Sequence, residues 1–106
     1  MKKQSGLLKN FKQEILKLLP QEIMMVKLFG SRARGDARSD SDVDILIVTR
    51  SEDWHLADKI GEVAYNILLE TGTYISTKVI SRKHYDYLRR LKAPFIQNVL
   101  RDGISL

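Results

Sequence analysis

The segment LFGSRARGDARSDSDVDILIV, residues 28–48, joins two apolar runs through a polar connection. The first run, Ile23–Phe29, ends at a Gly-Ser pair, and the second, Val43–Thr49, begins within an Asp-Val-Asp sequence. Short apolar runs that are bounded by glycine or proline, or are rich in β-branched residues, are typical of buried strands. The segment therefore predicts two strands whose connection carries the polar chemistry.

The Gly-Ser pair predicts an anion-binding turn at the end of the first strand. Gly30 lets the backbone turn sharply and lets a ligand approach it closely. If a short helix begins at Ser31, its free N–H groups and the serine hydroxyl point at the turn. Arg32 and Arg34 supply positive charge nearby. Taken alone, the pair is better explained by a common surface turn flanked by solvated arginines.

The Asp-Val-Asp sequence predicts a metal site at the start of the second strand. Side chains two residues apart on a strand share one face, so Asp42 and Asp44 present their carboxylates together. Two such groups repel each other unless a cation lies between them, and Mg²⁺ suits hard oxygen ligands. The alternative is that Asp42 caps a loop and Asp44 faces solvent. The turn and the acid pair together predict a site for a magnesium nucleotide. The sequence has neither a Walker-type lysine motif nor a dinucleotide glycine pattern, so the predicted phosphate site is of a different kind.

The rest of the chain alternates helical and extended patterns. Helical periodicity covers residues 7–19 and 51–72, and the β-prone stretch 73–80 predicts a third strand. Ser81 suits the cap of a helix that follows this third strand, and Pro94 suits the first turn of a final helix. The order of elements predicts an α/β or α+β domain, a small mixed sheet with helices against it.

Composition limits the classes of protein that remain. The 106 residues predict one domain, with an N-terminal helix over residues 1–20 and a core over residues 21–106. The absence of cysteine excludes disulfides, thiolate catalysis and cysteine zinc sites. A net charge of +5 favours anionic partners such as nucleotides or RNA. No signal peptide or membrane-spanning run is evident, so we expect a cytoplasmic protein without a membrane partner.

Two motifs identify a family resemblance. GSRARG, residues 30–35, followed by SDVDILI, residues 41–47, resembles the minimal nucleotidyltransferases of the DNA polymerase beta superfamily, whose motif is Gly-Ser, a spacer and Asp-x-Asp. The resemblance covers most of the chain from about residue 20 onward. It implies a mixed sheet with helices packed on one side. It also implies transfer of a nucleoside monophosphate, AMP from ATP in our prediction, onto a hydroxyl of a protein or RNA with release of pyrophosphate.

The resemblance also assigns roles to residues and suggests partners. It implies that the Gly-Ser pair holds the β- and γ-phosphates, that the two aspartates bind two Mg²⁺ ions and carry catalysis, and that the arginines neutralise the triphosphate. The implied nucleotide-binding residues are Gly30, Ser31, Arg32, Arg34, Asp42 and Asp44. Kinship further implies a small helical partner of the HEPN type, with this chain as the antitoxin of a toxin–antitoxin pair. The small size also favours pairing with a second copy.

The chain departs from the family at a third carboxylate, which active members carry on a later strand. TYISTKVIS, residues 73–81, contains no acid, and the expected position falls near Thr77 or Lys78. A protonated lysine cannot bind Mg²⁺, although Lys78 could equally be a surface residue of an edge strand. The chain could transfer slowly with two carboxylates, or be a nucleotide-binding or protein-binding regulatory module without transfer. It could also recruit another acid, the candidates being Glu62, Glu70 and Asp86.

A basic helix offers a further hypothesis. SRKHYDYLRRLK, residues 81–92, mixes arginine and lysine with two tyrosines, a composition that can bind RNA by charge and stacking. An amphipathic helix with a solvated basic face is the alternative.

Overall fold

A four-stranded mixed sheet forms the centre of the protein. The computed structural model describes residues 2–35 and 42–106, with the side chains of residues 2–5 and of Ser31 excepted. The strands are β1 Ile23–Phe29, β2 Val43–Thr49, β3 Ile75–Ser81 and β4 Ile104–Ser105. They lie in the order β3-β2-β1-β4, with β1 antiparallel to β2 and β4, and β2 parallel to β3.

Within residues 2–35 and 42–106, five helices surround the sheet, and local sequence signals set their ends. They are α1 Lys2–Leu18, α2 Ser31–Arg34, α3 Trp54–Thr71, α4 Arg82–Arg90 and α5 Pro94–Asp102. The Asp53 carboxylate accepts the backbone N–H of His55 at 2.9 Å and so caps the start of α3. Gly72 ends α3 in the left-handed conformation. Ser81 caps α4 by accepting the backbone N–H of His84 at 3.0 Å.

The helices cover both faces of the sheet. On one face, α1 and α3 pack against Val43, Ile45 and Ile47 of β2. On the other, α4 and α5 pack against Leu46 and Val48. The predicted mixed sheet and nucleotidyltransferase fold are confirmed, but the layering differs from the one-sided arrangement that the resemblance implied. The reason is the nearly continuous apolar run of β2, which leaves both faces in need of cover.

The predicted strands lie where the sequence placed them, with small differences at the ends. The β1 and β2 ranges match the apolar runs, and β3 begins two residues later than the β-prone stretch. The two-residue β4 was not predicted. The side chain of Trp54, at the start of α3, is 67% exposed and lies outside the core. Among the helices that the structure describes, none combines the length and the hydropathy needed to cross a membrane.

The buried centre of β2 predicts a large cost for truncation. Ile45 is fully buried in the core cluster that α1 and α3 cover. Ile45→Ala is expected to lower the free energy of unfolding by about 2–5 kcal/mol, because it removes buried methyl groups and leaves a cavity. Urea unfolding measures the change, with Leu69→Ala as the control since Leu69 is 67% exposed. Equal losses for the two variants would contradict this packing.

Candidate active site

Strand pairing brings the Gly-Ser turn against the acid pair. Because β1 and β2 are antiparallel, the last residue of β1, Phe29, lies opposite Asp44 near the start of β2. Gly30 follows directly and has a positive φ of 77°. A β-carbon added to Gly30 would lie 3.2 Å from Cγ of Asp44 and closer still to its carboxylate oxygen Oδ2. The Asp44 carboxylate therefore lies against the backbone of Gly30. Position 30 requires glycine because a side chain would clash with that carboxylate and because its φ is positive.

The turn continues into the short helix α2. Ser31 is its first residue, and the backbone N–H of Arg34 donates to the carbonyl oxygen of Gly30 at 3.2 Å. Arg32 is half-buried and Arg34 is exposed. The charge of Arg34 lowers the pKa of Asp44, so the arginine lies within electrostatic range of that carboxylate. For Ser31 the structure describes the backbone position only, which is next to Gly30.

The carboxylate of Asp42 lies within electrostatic range of Asp44. Asp44 is half-buried at the second position of β2, and Asp42 is exposed immediately before that strand. Burial raises the pKa of the Asp44 carboxyl, the charge of Asp42 raises it further, and Arg34 acts in the opposite direction. A carboxylate whose ionised form is disfavoured by burial and by a second carboxylate gains most from a cation between the two. This donor set fits Mg²⁺, which takes one or two carboxylates together with substrate phosphates.

The register of β3 shows which of its side chains face the acids. Asp44 pairs with Ser76, Ile45 with Thr77, and Leu46 with Lys78. Paired residues share a face of the sheet, so Ser76 is the direct neighbour of Asp44 on β3. Of the two positions predicted for the third carboxylate, Lys78 lies on the face of Asp44, and Thr77 lies on the other. The sequence analysis missed Ser76, because nothing in TYISTKVIS fixes the register.

Aromatic rings position Lys78 beside the site. Its ammonium nitrogen lies 4.8 Å from the ring centroid of Phe95 on α5. Phe95 in turn meets Phe29 edge to face, with 5.2 Å between centroids. Phe29 is the β1 residue that pairs with Asp44. The ammonium group of Lys78 thus contacts the first of a pair of packed aromatic rings, the second of which belongs to the residue before the turn.

The other acids proposed for the site lie elsewhere. Glu62 and Glu70 belong to α3, which covers the opposite face of the sheet. Asp86, on α4, forms an ion pair with Arg82 at 3.3 Å. Asp102, an acid at the end of α5 that was not among the predicted candidates, lies within electrostatic range of Arg34 of the turn. Arg101 contacts it at 3.0 Å and lowers its pKa, and the charge of Arg34 lowers that pKa further.

A separate cavity lies at the far end of β2. It measures about 370 Å³ and is lined by residues that include Thr49, Glu52, Trp54 and Ser81. Thr49 ends β2, whereas Asp44 is near its start. The cavity is therefore distinct from the turn and the acid pair.

Comparison with known proteins identifies the family. A family model described as "Nucleotidyltransferase domain" matches residues 8–101. The chain belongs to this nucleotidyltransferase family. A protein of Methanocaldococcus jannaschii named "Putative protein adenylyltransferase" is 32% identical over 101 residues, which cover 94% of this chain and 95% of that one. By this kinship the chain is a nucleotidyltransferase of the minimal type.

Solved structures show the same fold. One described as a "putative minimal nucleotidyltransferase" has 26% identity and a TM-score of 0.56, and the match covers 93% of this chain and 92% of that one. Another, a toxin–antitoxin structure with AMP-PNP, has 21% identity and a TM-score of 0.59, with 91% of this chain and 69% of that one covered.

The contact between Gly30 and Asp44 generates a test with a matched control. Gly30→Ala is expected to displace the Asp44 carboxylate and to lower nucleotidyl transfer by about 10²-fold, the scale for a misplacement of reacting groups. Gly72 has nearly the same φ, 78°, but open space around a β-carbon. Gly72→Ala therefore imposes the same backbone strain without the contact, and it should retain the wild-type rate. Equal losses of activity would show that strain alone causes the effect.

The raised pKa of Asp44 predicts that its ionised carboxylate lowers the free energy of unfolding. Because its pKa is raised in the folded protein, ionised Asp44 opposes folding, and stability is lost as pH rises through the raised pKa. Asp44→Asn should therefore raise the free energy of unfolding of the metal-free protein at pH 7. The gain should shrink toward pH 4, because more of the wild-type carboxyl is protonated there. Urea unfolding at both pH values, with exposed Asp58→Asn as control, measures this, and a destabilised Asp44→Asn would contradict it.

Proposed function

We propose that this nucleotidyltransferase transfers AMP from ATP to a hydroxyl group of a protein, with Mg²⁺ bound by Asp42 and Asp44. The observation that carries the proposal is the contact of the Asp44 carboxylate with the Gly30 backbone. This contact places the proposed phosphate turn and the acid pair side by side, so that one nucleotide could bind to both. The name of the M. jannaschii relative, a protein adenylyltransferase, favours AMP as the group and protein as the acceptor class.

The residues of the site divide the work of an in-line displacement. Gly30 and Ser31 hold the β- and γ-phosphates at the turn, and Arg32 and Arg34 offset their charge. Asp42 and Asp44 provide the oxygen ligands for the cation. When bound there, Mg²⁺ supplies positive charge to the phosphate oxygens and favours loss of the acceptor proton.

The reaction balances with these groups. The acceptor oxygen forms a bond to the α-phosphorus as the bond from that phosphorus to the bridging β-oxygen breaks. Pyrophosphate leaves with the bonding electrons, and the acceptor proton passes to solvent. The turn keeps the leaving phosphates fixed while this happens, which is the part of catalysis that positioning supplies.

The acceptor is proposed to be a small helical partner of the HEPN type, with this chain as its antitoxin. Support comes from the fold shared with the toxin–antitoxin structure that contains AMP-PNP. RNA is the less favoured acceptor, because one of the two tyrosines of the basic helix is buried and unavailable for stacking. Tyr85 of α4 is only 4% exposed, and Arg82 is engaged by Asp86.

A binding module without transfer is the second candidate. The observation that favours it is that, within residues 2–35 and 42–106, no three acidic or histidine side chains converge to form a metal site. Such a module would bind ATP through the turn and neutralise its partner by contact alone.

Label transfer from α-labelled ATP with Mg²⁺, in lysate from the native host, distinguishes the two. We expect a labelled protein band with the wild type and none with the Asp42→Asn, Asp44→Asn double variant. Asp58→Asn, which changes an exposed acid on α3, should label as the wild type does. A ribonuclease-sensitive band would replace protein by RNA as the acceptor. ATP binding without any label would favour the binding module.

A further inference from the structure

We propose that the active site binds a single Mg²⁺ and that the ammonium group of Lys78 supplies, on the acceptor side, the positive charge of a second ion. The inference rests on the proposed function, since it assumes that Asp42 and Asp44 hold the first ion. It concerns what β3 contributes to that site.

The first support is the set of ligands that β3 provides. The side chains of β3 on the face of Asp44 are Ser76, Lys78 and Ile80. A neutral hydroxyl and an ammonium group are poor substitutes for a carboxylate, and a lysine has no lone pair for a metal while it is protonated. In the described part of the chain, no third acidic or histidine group joins the two aspartates. Two carboxylates suffice for one Mg²⁺ with waters and phosphates as its other ligands.

The second support is the position of Lys78 relative to the phosphate turn. The sheet order β3-β2-β1 puts the strand of Asp44 between the strand that leads to the turn and β3, the strand that carries Lys78. In an in-line displacement the attacking and leaving oxygens lie on opposite sides of the phosphorus. If the pyrophosphate lies over the turn, the acceptor hydroxyl approaches from the side of Lys78.

The third support is how Lys78 is held. Its ammonium nitrogen rests on the ring of Phe95 at 4.8 Å, an attraction that places the charge without neutralising it. An ion pair with Asp44 would instead compete with Mg²⁺ for that carboxylate. The side chain is exposed, so an acceptor can reach it. Fixed positive charge here repels a second cation and stabilises the negative charge that grows on the attacking oxygen.

The number of bound metal ions tests the proposal directly. Mn²⁺ replaces Mg²⁺, and electron paramagnetic resonance counts the ions bound by the wild-type chain saturated with α,β-methylene-ATP, which cannot transfer AMP. We expect one ion per chain. Two ions would overturn the inference and leave the proposed function intact. No bound ion would overturn the metal site of the proposed function as well.

A variant with a rebuilt third carboxylate extends the count. Ser76→Asp combined with Lys78→Ala places an acid beside Asp44 and removes the ammonium group, and we expect it to bind two Mn²⁺ ions. Circular dichroism confirms that the variant is folded, and Ser76→Asp alone serves if the double variant is not. A folded variant that still binds one ion would overturn the assignment of this position to the second ion.

Kinetics test the charge of Lys78 itself. Lys78→Met is expected to lower kcat by about 10²-fold, the usual effect of removing one electrostatic contact to developing charge, with KM for ATP unchanged. Lys78→Arg should restore much of the loss. Lys59→Met, on α3 against the opposite face, is the matched control. Loss of ATP affinity with kcat unchanged, or no effect, would overturn the role on the acceptor side.

Discussion

The antiparallel pairing of β1 with β2 is the constraint on which the site depends. It sets Phe29 opposite Asp44, so that the residue after Phe29 lies in contact with the Asp44 carboxylate. That residue is Gly30, whose hydrogen leaves the space that any side chain would fill. Because one contact joins the turn to Asp44, a shift of one residue in this pairing would separate the two halves of the proposed site, the turn for phosphates and the acids for a metal ion.

The strand that carries the acids is also the most deeply buried strand of the sheet. From Ile45 to Thr49 every side chain of β2 is buried, whereas Asp44 is only half-buried at the strand's open end. Helices on both faces hold this strand rigidly, which favours exact placement of the carboxylate. The same burial raises the pKa of Asp44, so a precise position and a disfavoured charge arise from one cause. A bound cation would offset the disfavoured negative charge of Asp44.

The sequence predicted the elements better than their relations. Apolar runs, proline and the capping residues Asp53, Gly72 and Ser81 are local signals, and they located β1, β2 and the ends of α3 and α4. The contact of Gly30 with Asp44 followed in outline from the spacing of the two motifs. The positions of Ser76 and Asp102 depend on strand register and on the return path of α5. Those are tertiary properties, and no local pattern encodes them.

The exposed Trp54 has a practical consequence for spectroscopy. It is the only tryptophan of the chain, and it stacks on His55 with ring centroids 3.7 Å apart. It lines the cavity beyond Thr49, and the five residue-to-residue steps from Asp44 to Thr49 span about 17 Å of strand. Because its side chain is already 67% exposed, we expect its emission wavelength to shift little on unfolding, and its distance from the turn should make it insensitive to a nucleotide there. A fluorescent handle for this enzyme has to be introduced near α2 instead.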